Sequence, residues 1–232
     1  METGSAVHVP DALATVAHII LMAAIPFLLL VSPVYLIASP AYMRHEYGLS
    51  SFPSSERFSA PERLRLSTTI VKYVMGRATE GDMATLRTDA GETALRDEEV
   101  QHLIDVRVVM DGFRLAHAIL LASALLGALA VWHSARRGML PVYLRQGVWI
   151  AAALIAFIVL ASVINFDTFF TRFHQIFFSE GSWLFYEDDT LIQLYPLPLW
   201  IDAVWKIGVL VALGMVVVYG LAAWVQGASA GR

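Results

Sequence analysis

The stretch RDEEVQHLIDVRVVMDGFR carries acids and an imidazole at helical intervals: Glu98, Glu99, His102 and Asp105 stand three or four residues apart and share one helix face. A carboxylate beside an imidazole can fix its tautomer and raise its basicity. A second line, Arg107, Asp111 and Arg114 with His117 three residues beyond, runs toward an apolar stretch, where charges are costly unless paired or facing a wet cavity. The spacing admits two readings, an interfacial cluster of snorkelling ion pairs or a polar pocket. Another imidazole lies in FTRFHQIFFSEGSW, where His174 shares a helical face with Phe170, Phe177 and Phe178 and precedes a polar SEGS turn with free backbone N–H groups. A histidine on such a face is either packed and hydrogen-bonded or has a tuned pKa. Asp188 and Asp189 can orient it or stand as solvated charges. Trp183, Tyr186, Tyr195, Trp200 and Trp205 fit an interfacial aromatic belt.

The elements that must position these groups belong to a membrane protein. Of 232 residues, 57% are hydrophobic and only 16% charged, too apolar for an ordinary soluble domain. Four uncharged stretches, 13–38, 115–132, 148–166 and 207–225, suit helical spans of about 20 residues, and no short alternating segments suggest a barrel. The expected fold is an all-α membrane protein, one integral domain over 1–232 built as a four-transmembrane-helix bundle. The connection 133–145 holds Arg136, Arg137 and Arg145 and no acid, which puts it and both termini in the cytoplasm and leaves segments 42–106 and 167–202 outside. No Lys or Arg precedes the first span, so it lacks the basic start of a cleaved signal peptide.

Within the first outer segment, Ser59 and Glu62 have capping-box spacing and Pro61 suits a first helical turn. Leu66, Ile70 and Val74, with Val71 and Met75, then predict an amphipathic helix ending near Gly76, lying on the outer leaflet or folded over the bundle as a soluble helix. The next stretch, TEGDMATLRTDAGETAL, reads as a hairpin or mobile loop, and Asp97 as the N-cap of a helix continuing into the second span.

The chain has no Cys, which excludes disulfides, thiol nucleophiles, thiolate metal sites and lipid anchors on its own residues. A net charge of −4 gives no support for nucleic-acid binding. There is no HExxH helix, GxSxG elbow or P-loop, so neither metal nor cofactor is expected. His18 and His117 fall at opposite ends of their spans and cannot share a haem, whereas His18 with His133 is geometrically possible. No polar line continues from His117 to the cytoplasmic side, which argues against an ion conduit.

The blocks EEVQHLIDVR and FHQIFFSEGSWLFYEDDTLIQLYP, together with the four-span layout, resemble the lipoprotein intramolecular transacylase family. The resemblance implies a multi-pass enzyme of the bacterial cytoplasmic membrane whose active site faces outward and whose two catalytic histidines correspond to His102 and His174. Its substrate would be a diacylglyceryl-modified lipoprotein in a bed of membrane lipids. The sn-2 acyl chain would move to the α-amino group of the N-terminal cysteine, giving a lyso-form lipoprotein. Ester-to-amide transfer is downhill and needs no cofactor. An α-amine with a pKa of about 7.7–8.0 needs only a modest base. The oxyanion would be stabilised by the second imidazole, Arg107 or loop N–H groups, and either histidine can be the base. Glu98, Glu99, Asp105, Asp188 and Asp189 are then candidate supporting carboxylates, and Phe170, Phe177, Phe178 and Trp183 candidate walls for lipid. The rival is a noncatalytic membrane protein that binds lipid or assists assembly.

Overall fold

A computed structural model describes residues 11–230, which include no β-strand. Four of its helices are long and apolar enough to cross a membrane: α1 (Asp11–Ile37), α5 (Asp97–Trp132), α6 (Leu140–Ile164, entered through a 3-10 turn at Arg137–Met139) and α9 (Leu197–Ala230). Between them lie α2 (Pro40–Tyr47), α3 (Ala60–Val74), α4 (Glu80–Ala84), α7 (Phe166–Phe177) and α8 (Thr190–Leu194). The described chain is an all-α membrane protein. At 36 residues and 1.5 Å each, α5 is about 54 Å long, well beyond a hydrocarbon core of about 30 Å. The charged start of this helix therefore has length to spare outside the lipid.

Backbone contacts divide the chain into two compact units. Among the described residues, the first comprises 11–33, 115–158 and 207–230. Its core brings together Ala17, Leu21, Ala24 and Ile25 of α1, Ala124 and Val131 of α5, Tyr143 and Val148 of α6, and Ala222 and Val225 of α9. Small residues matter here because helices in lipid associate through close packing rather than hydrophobic exclusion. At Gly147 an added Cβ would come within 2.7 Å of the Ile25 side chain, so the two backbones approach as only glycine allows. Leu125, Leu126, Leu129, Phe157 and Trp224 point outward, as a lipid-facing surface requires. His18 stacks on Tyr143 and bonds Gln146 at 2.6 Å.

The second unit comprises 34–114 and 159–206. Ser59 caps α3 by accepting the Glu62 N–H, but Glu62 does not complete a capping box: its carboxylate accepts the Asp89 N–H at 2.7 Å and is thereby tied to the following turn. The inward stripe of α3, Leu66, Ile70 and Tyr73, packs with Met83, Leu86, Leu95, Leu103 and Leu194. Thus α3 is a core helix of this unit. The chain after it makes a true capping box at Thr79 and Asp82, then a tight hairpin closed by an antiparallel bridge between Arg87 and Thr93. Gly76 ends the α3 region at φ +72, a conformation glycine adopts without strain, with the Arg114 guanidinium 2.9 Å from where a Cβ would stand.

Candidate active site

The start of α5 is fastened by a carboxylate. Asp97 is inside the helix, so Arg96 occupies the capping position and cannot accept with its side chain. Glu99, fully buried, supplies what is missing: Oε2 accepts the Arg96 N–H and Oε1 the Leu191 N–H at the start of α8, both at 2.8 Å. Two backbone donors satisfied by one buried carboxylate lock the two segments together. Thr190 adds a bond from its hydroxyl to the Ala94 carbonyl. Asp189, also buried, accepts the Tyr186 N–H at 2.7 Å and pairs with Arg96 at 2.5 Å. These bonds fix the path of the polar loop that follows α7.

His102 lies on α5 one turn after Glu99. His174 lies near the end of α7, which Asn165 caps through a bond to the Thr168 N–H at 2.8 Å. The two imidazoles are each 8% exposed, and their centroids are 6.2 Å apart with planes inclined by 28°. Aromatic rings close around them. Phe170 lies 4.0 Å from His174, Trp183 4.9 Å and Phe178 5.6 Å; Phe178 and Phe185 lie 5.0 and 5.4 Å from His102. Phe178 reaches this box because the chain leaves the helix there in an extended conformation, not because it shares the helical face of His174. Phe177 backs the box, packing edge-on against Phe113 at 5.6 Å.

The tautomer of His174 follows from its partner. Its Nδ1 is 2.8 Å from the Phe170 carbonyl oxygen, which can only accept, so Nδ1 carries the hydrogen and Nε2 presents a lone pair. Burial pushes this imidazole below the usual histidine range, offset in part by the same carbonyl, which favours the charged form. At neutral pH it is therefore an uncharged base. Two further polar atoms here, Nδ1 of His102 and Nε1 of Trp183, are buried without a hydrogen-bond partner among the described residues. An unpaired buried donor costs about 1–3 kcal/mol. The indole N–H of Trp183 and an imidazole nitrogen left unpaired within one aromatic box mark a place where something else supplies hydrogen-bond partners.

Of the other residues singled out by the sequence, Glu98 is exposed, and Asp105 accepts from Gln101 at 3.2 Å. Arg107 is turned to the end of α3, where it donates to the carbonyls of Tyr73 and Ala78 at 3.3 and 2.8 Å and lies over the Tyr73 ring. Glu99 and Asp189 are committed to backbone N–H groups and Arg96, while Asp188 is exposed and its carbonyl accepts from Arg57. Glu99 and Asp189 thus build the frame, and none of these carboxylates hydrogen-bonds an imidazole. Phe173, 5.5 Å from His174, and Phe185 complete the box without having been singled out. Phe173 lies beside His174 in the chain, which was a usable signal; Phe185 lies in an irregular loop with no periodicity to reveal it. Among the described residues, no group of three His, Asp or Glu side chains is arranged to hold a metal ion.

Comparison with known proteins bears on what such a site does. The crystal structure of the membrane-integral lipoprotein intramolecular transacylase of Bacillus cereus superposes with a TM-score of 0.72 at 13% identity, covering 96% of this chain and all of that one. Structures of two variants of that enzyme, each substituted at one histidine, match with TM-scores of 0.67 and 0.71 over 94% and 95% of this chain, and 94% and 97% of theirs, at 13% and 14% identity. An uncharacterised protein of Aquifex aeolicus is 25% identical over 193 residues, 83% of this chain and 86% of that protein. The profile of the lipoprotein intramolecular transacylases matches residues 18–200, a range that holds both imidazoles. The chain belongs to the lipoprotein intramolecular transacylase family and is a multi-pass membrane acyltransferase.

Proposed function

We propose that the protein moves the sn-2 acyl chain of an S-diacylglyceryl lipoprotein to the α-amino group of its N-terminal cysteine, with His174 as the base. The observation that carries this reading is the dry pair of imidazoles, 6.2 Å apart, one of which has a tautomer set for proton abstraction. The amine nitrogen attacks the ester carbonyl carbon while its proton passes to Nε2 of His174. The carbonyl oxygen becomes an oxyanion, received by the unpartnered Nε1–H of Trp183 and by His102 with hydrogen on Nδ1. As the tetrahedral species collapses, the bond to the glycerol oxygen breaks and His174 returns its proton to that oxygen. An amide and a free sn-2 hydroxyl result, with no water consumed and no net proton change.

One proton suffices for the whole cycle. This suits two imidazoles so close together in an apolar box, where carrying two charges at once would be strongly disfavoured. Amine and ester belong to one molecule, so binding converts the transfer into a first-order event with the advantage of high effective concentration. Phe170, Phe178 and Trp183 supply apolar walls for the acyl chain. Arg136 and Arg137, in the short connection between α5 and α6, and Arg145 near the start of α6 support a cytoplasmic location for that end and an extracytoplasmic one for the imidazoles. The membrane would be the bacterial cytoplasmic membrane.

The test is co-expression with a diacylated lipoprotein and fragmentation of its N-terminal lipopeptide in a mass spectrometer. The transfer conserves mass, so the readout is the acyl fragment attached to nitrogen, together with loss of reactivity toward an amine-specific reagent. Wild type should yield the N-acyl form and His174→Ala the free amine. A free amine from both, with protein and substrate present in the membrane, would leave a noncatalytic lipid-binding role as the better reading.

A further inference from the structure

Apart from the imidazole box, we propose that a basic groove along α3 binds the phosphodiester headgroup of an anionic phospholipid. The groove has a volume of about 390 Å³ and is walled by Arg44 of α2 and by Leu64, Arg65, Thr68, Thr69 and Lys72 of α3. Helical geometry explains its composition. Leu66, Ile70 and Tyr73 turn into the core, so the stripe bearing Arg65, Thr68 and Lys72 faces away. Tyr42 and Met43 of α2 pack with Val71, which brings Arg44 to the groove's other side.

Three cations therefore converge on one concavity that no carboxylate lines. Arg65 shares an exposed ion pair with Asp89 at 2.8 Å, but the side chains of Arg44 and Lys72 have no hydrogen bond or ion pair among the described residues. The Thr68 hydroxyl is likewise without one, and the Thr69 hydroxyl turns back to the Arg65 carbonyl. A guanidinium, an ammonium and a hydroxyl around one space form a donor set for a tetrahedral anion with several acceptor oxygens.

Chain connectivity selects a lipid as its source. The first candidate span ends at Ile37, α2 begins at Pro40, and Arg44 lies seven residues beyond the span. At 1.5 Å per helical residue, that is about 10 Å of chain, little more than the depth of a headgroup layer. Leu64 offers apolar contact for the glycerol end of the ligand. The transacylase substrate has no phosphate on its diacylglyceryl group, so this ligand is a separate lipid and the inference does not depend on the proposed reaction.

The experiment is native mass spectrometry of the full-length protein released from nanodiscs of equimolar phosphatidylglycerol and phosphatidylcholine. Wild type should retain phosphatidylglycerol preferentially. A cation near an anionic surface is worth roughly a fivefold preference, so Arg44→Gln with Lys72→Gln should lower that preference about 25-fold. Arg44→Lys with Lys72→Arg should keep most of it. In pure phosphatidylcholine the Gln pair should transacylate as wild type does, because neither residue belongs to the imidazole site. The proposal is overturned by equal retention of the two lipids in wild type, by an unchanged preference in the Gln pair, or by millimolar inorganic phosphate displacing the lipid, which would mark a soluble-anion site.

Discussion

Replacing Trp183 by Phe removes one N–H while keeping an aromatic ring in the wall of the box, and the structure sets opposite signs for its effects on stability and on rate. In the free protein Nε1 is buried and unpartnered, and the residue is only 8% exposed. Deleting that donor relieves a desolvation cost of about 1–3 kcal/mol, set against a smaller loss of ring contact. The melting temperature in detergent should therefore hold or rise. During the reaction the same N–H has an acceptor, the developing oxyanion. Loss of one such donor lowers kcat about 100-fold or more, which is about 2.7 kcal/mol of transition-state stabilisation. Because the ground-state carbonyl gains little from this donor, KM should barely move. Single-turnover assays on a purified diacylated lipopeptide, read as the N-acyl fragment, separate these quantities. A kcat within threefold of wild type, with intact folding, would refute the oxyanion role and return Trp183 to packing alone.

Other outcomes follow from the same site. In an NMR titration of protein labelled at histidine, His174 should protonate with a midpoint below 6.5, its ordinary value, because burial disfavours the imidazolium more than the Phe170 carbonyl stabilises it. The unfolded chain binds this proton at higher pH than the folded one, so its contribution to stability falls as pH drops from 6.5 through the lowered midpoint; a midpoint above 6.5 would contradict the dry setting. Glu99→Gln leaves one of two buried backbone N–H groups facing an amide NH₂, costing about 2 kcal/mol and lowering the melting temperature by roughly 4–8 °C. Glu98→Gln, at an exposed position one residue away, should change it by less than 2 °C.

The resemblance of two short blocks paired His102 with His174; spacing alone left each as either a packed residue or a working group. Apolar length marked out the membrane-crossing character, because twenty uncharged residues have few other uses. What spacing could not reveal was the direction of the carboxylates. Glu98, Glu99 and Asp105 share a helical face with His102 at the level of periodicity, yet Glu99 turns to Arg96 and Leu191, a partner 92 residues away. Asp97 has the chemistry of an N-cap, but the helix begins at it rather than after it, since Glu99 satisfies the Arg96 N–H from inside. Ser59 caps α3 as its residue type suggests, whereas Glu62 finds a better donor at Asp89 than at its own N-cap. For Glu99 and Glu62 a contact distant in sequence decided between chemically equivalent local choices.

The closure of Phe170, Phe178, Phe185 and Trp183 around the imidazoles also bears on chemical fidelity. A base able to activate an amine against an ester is equally able to activate water. Hydrolysis would release the chain as a free fatty acid and strand the lipoprotein with one acyl group instead of two. On the proposed chemistry the aromatic walls keep water scarce at the carbonyl, so the tethered amine wins the competition. The difference between a transferase and an esterase then rests less on the histidines than on the rings that keep them dry.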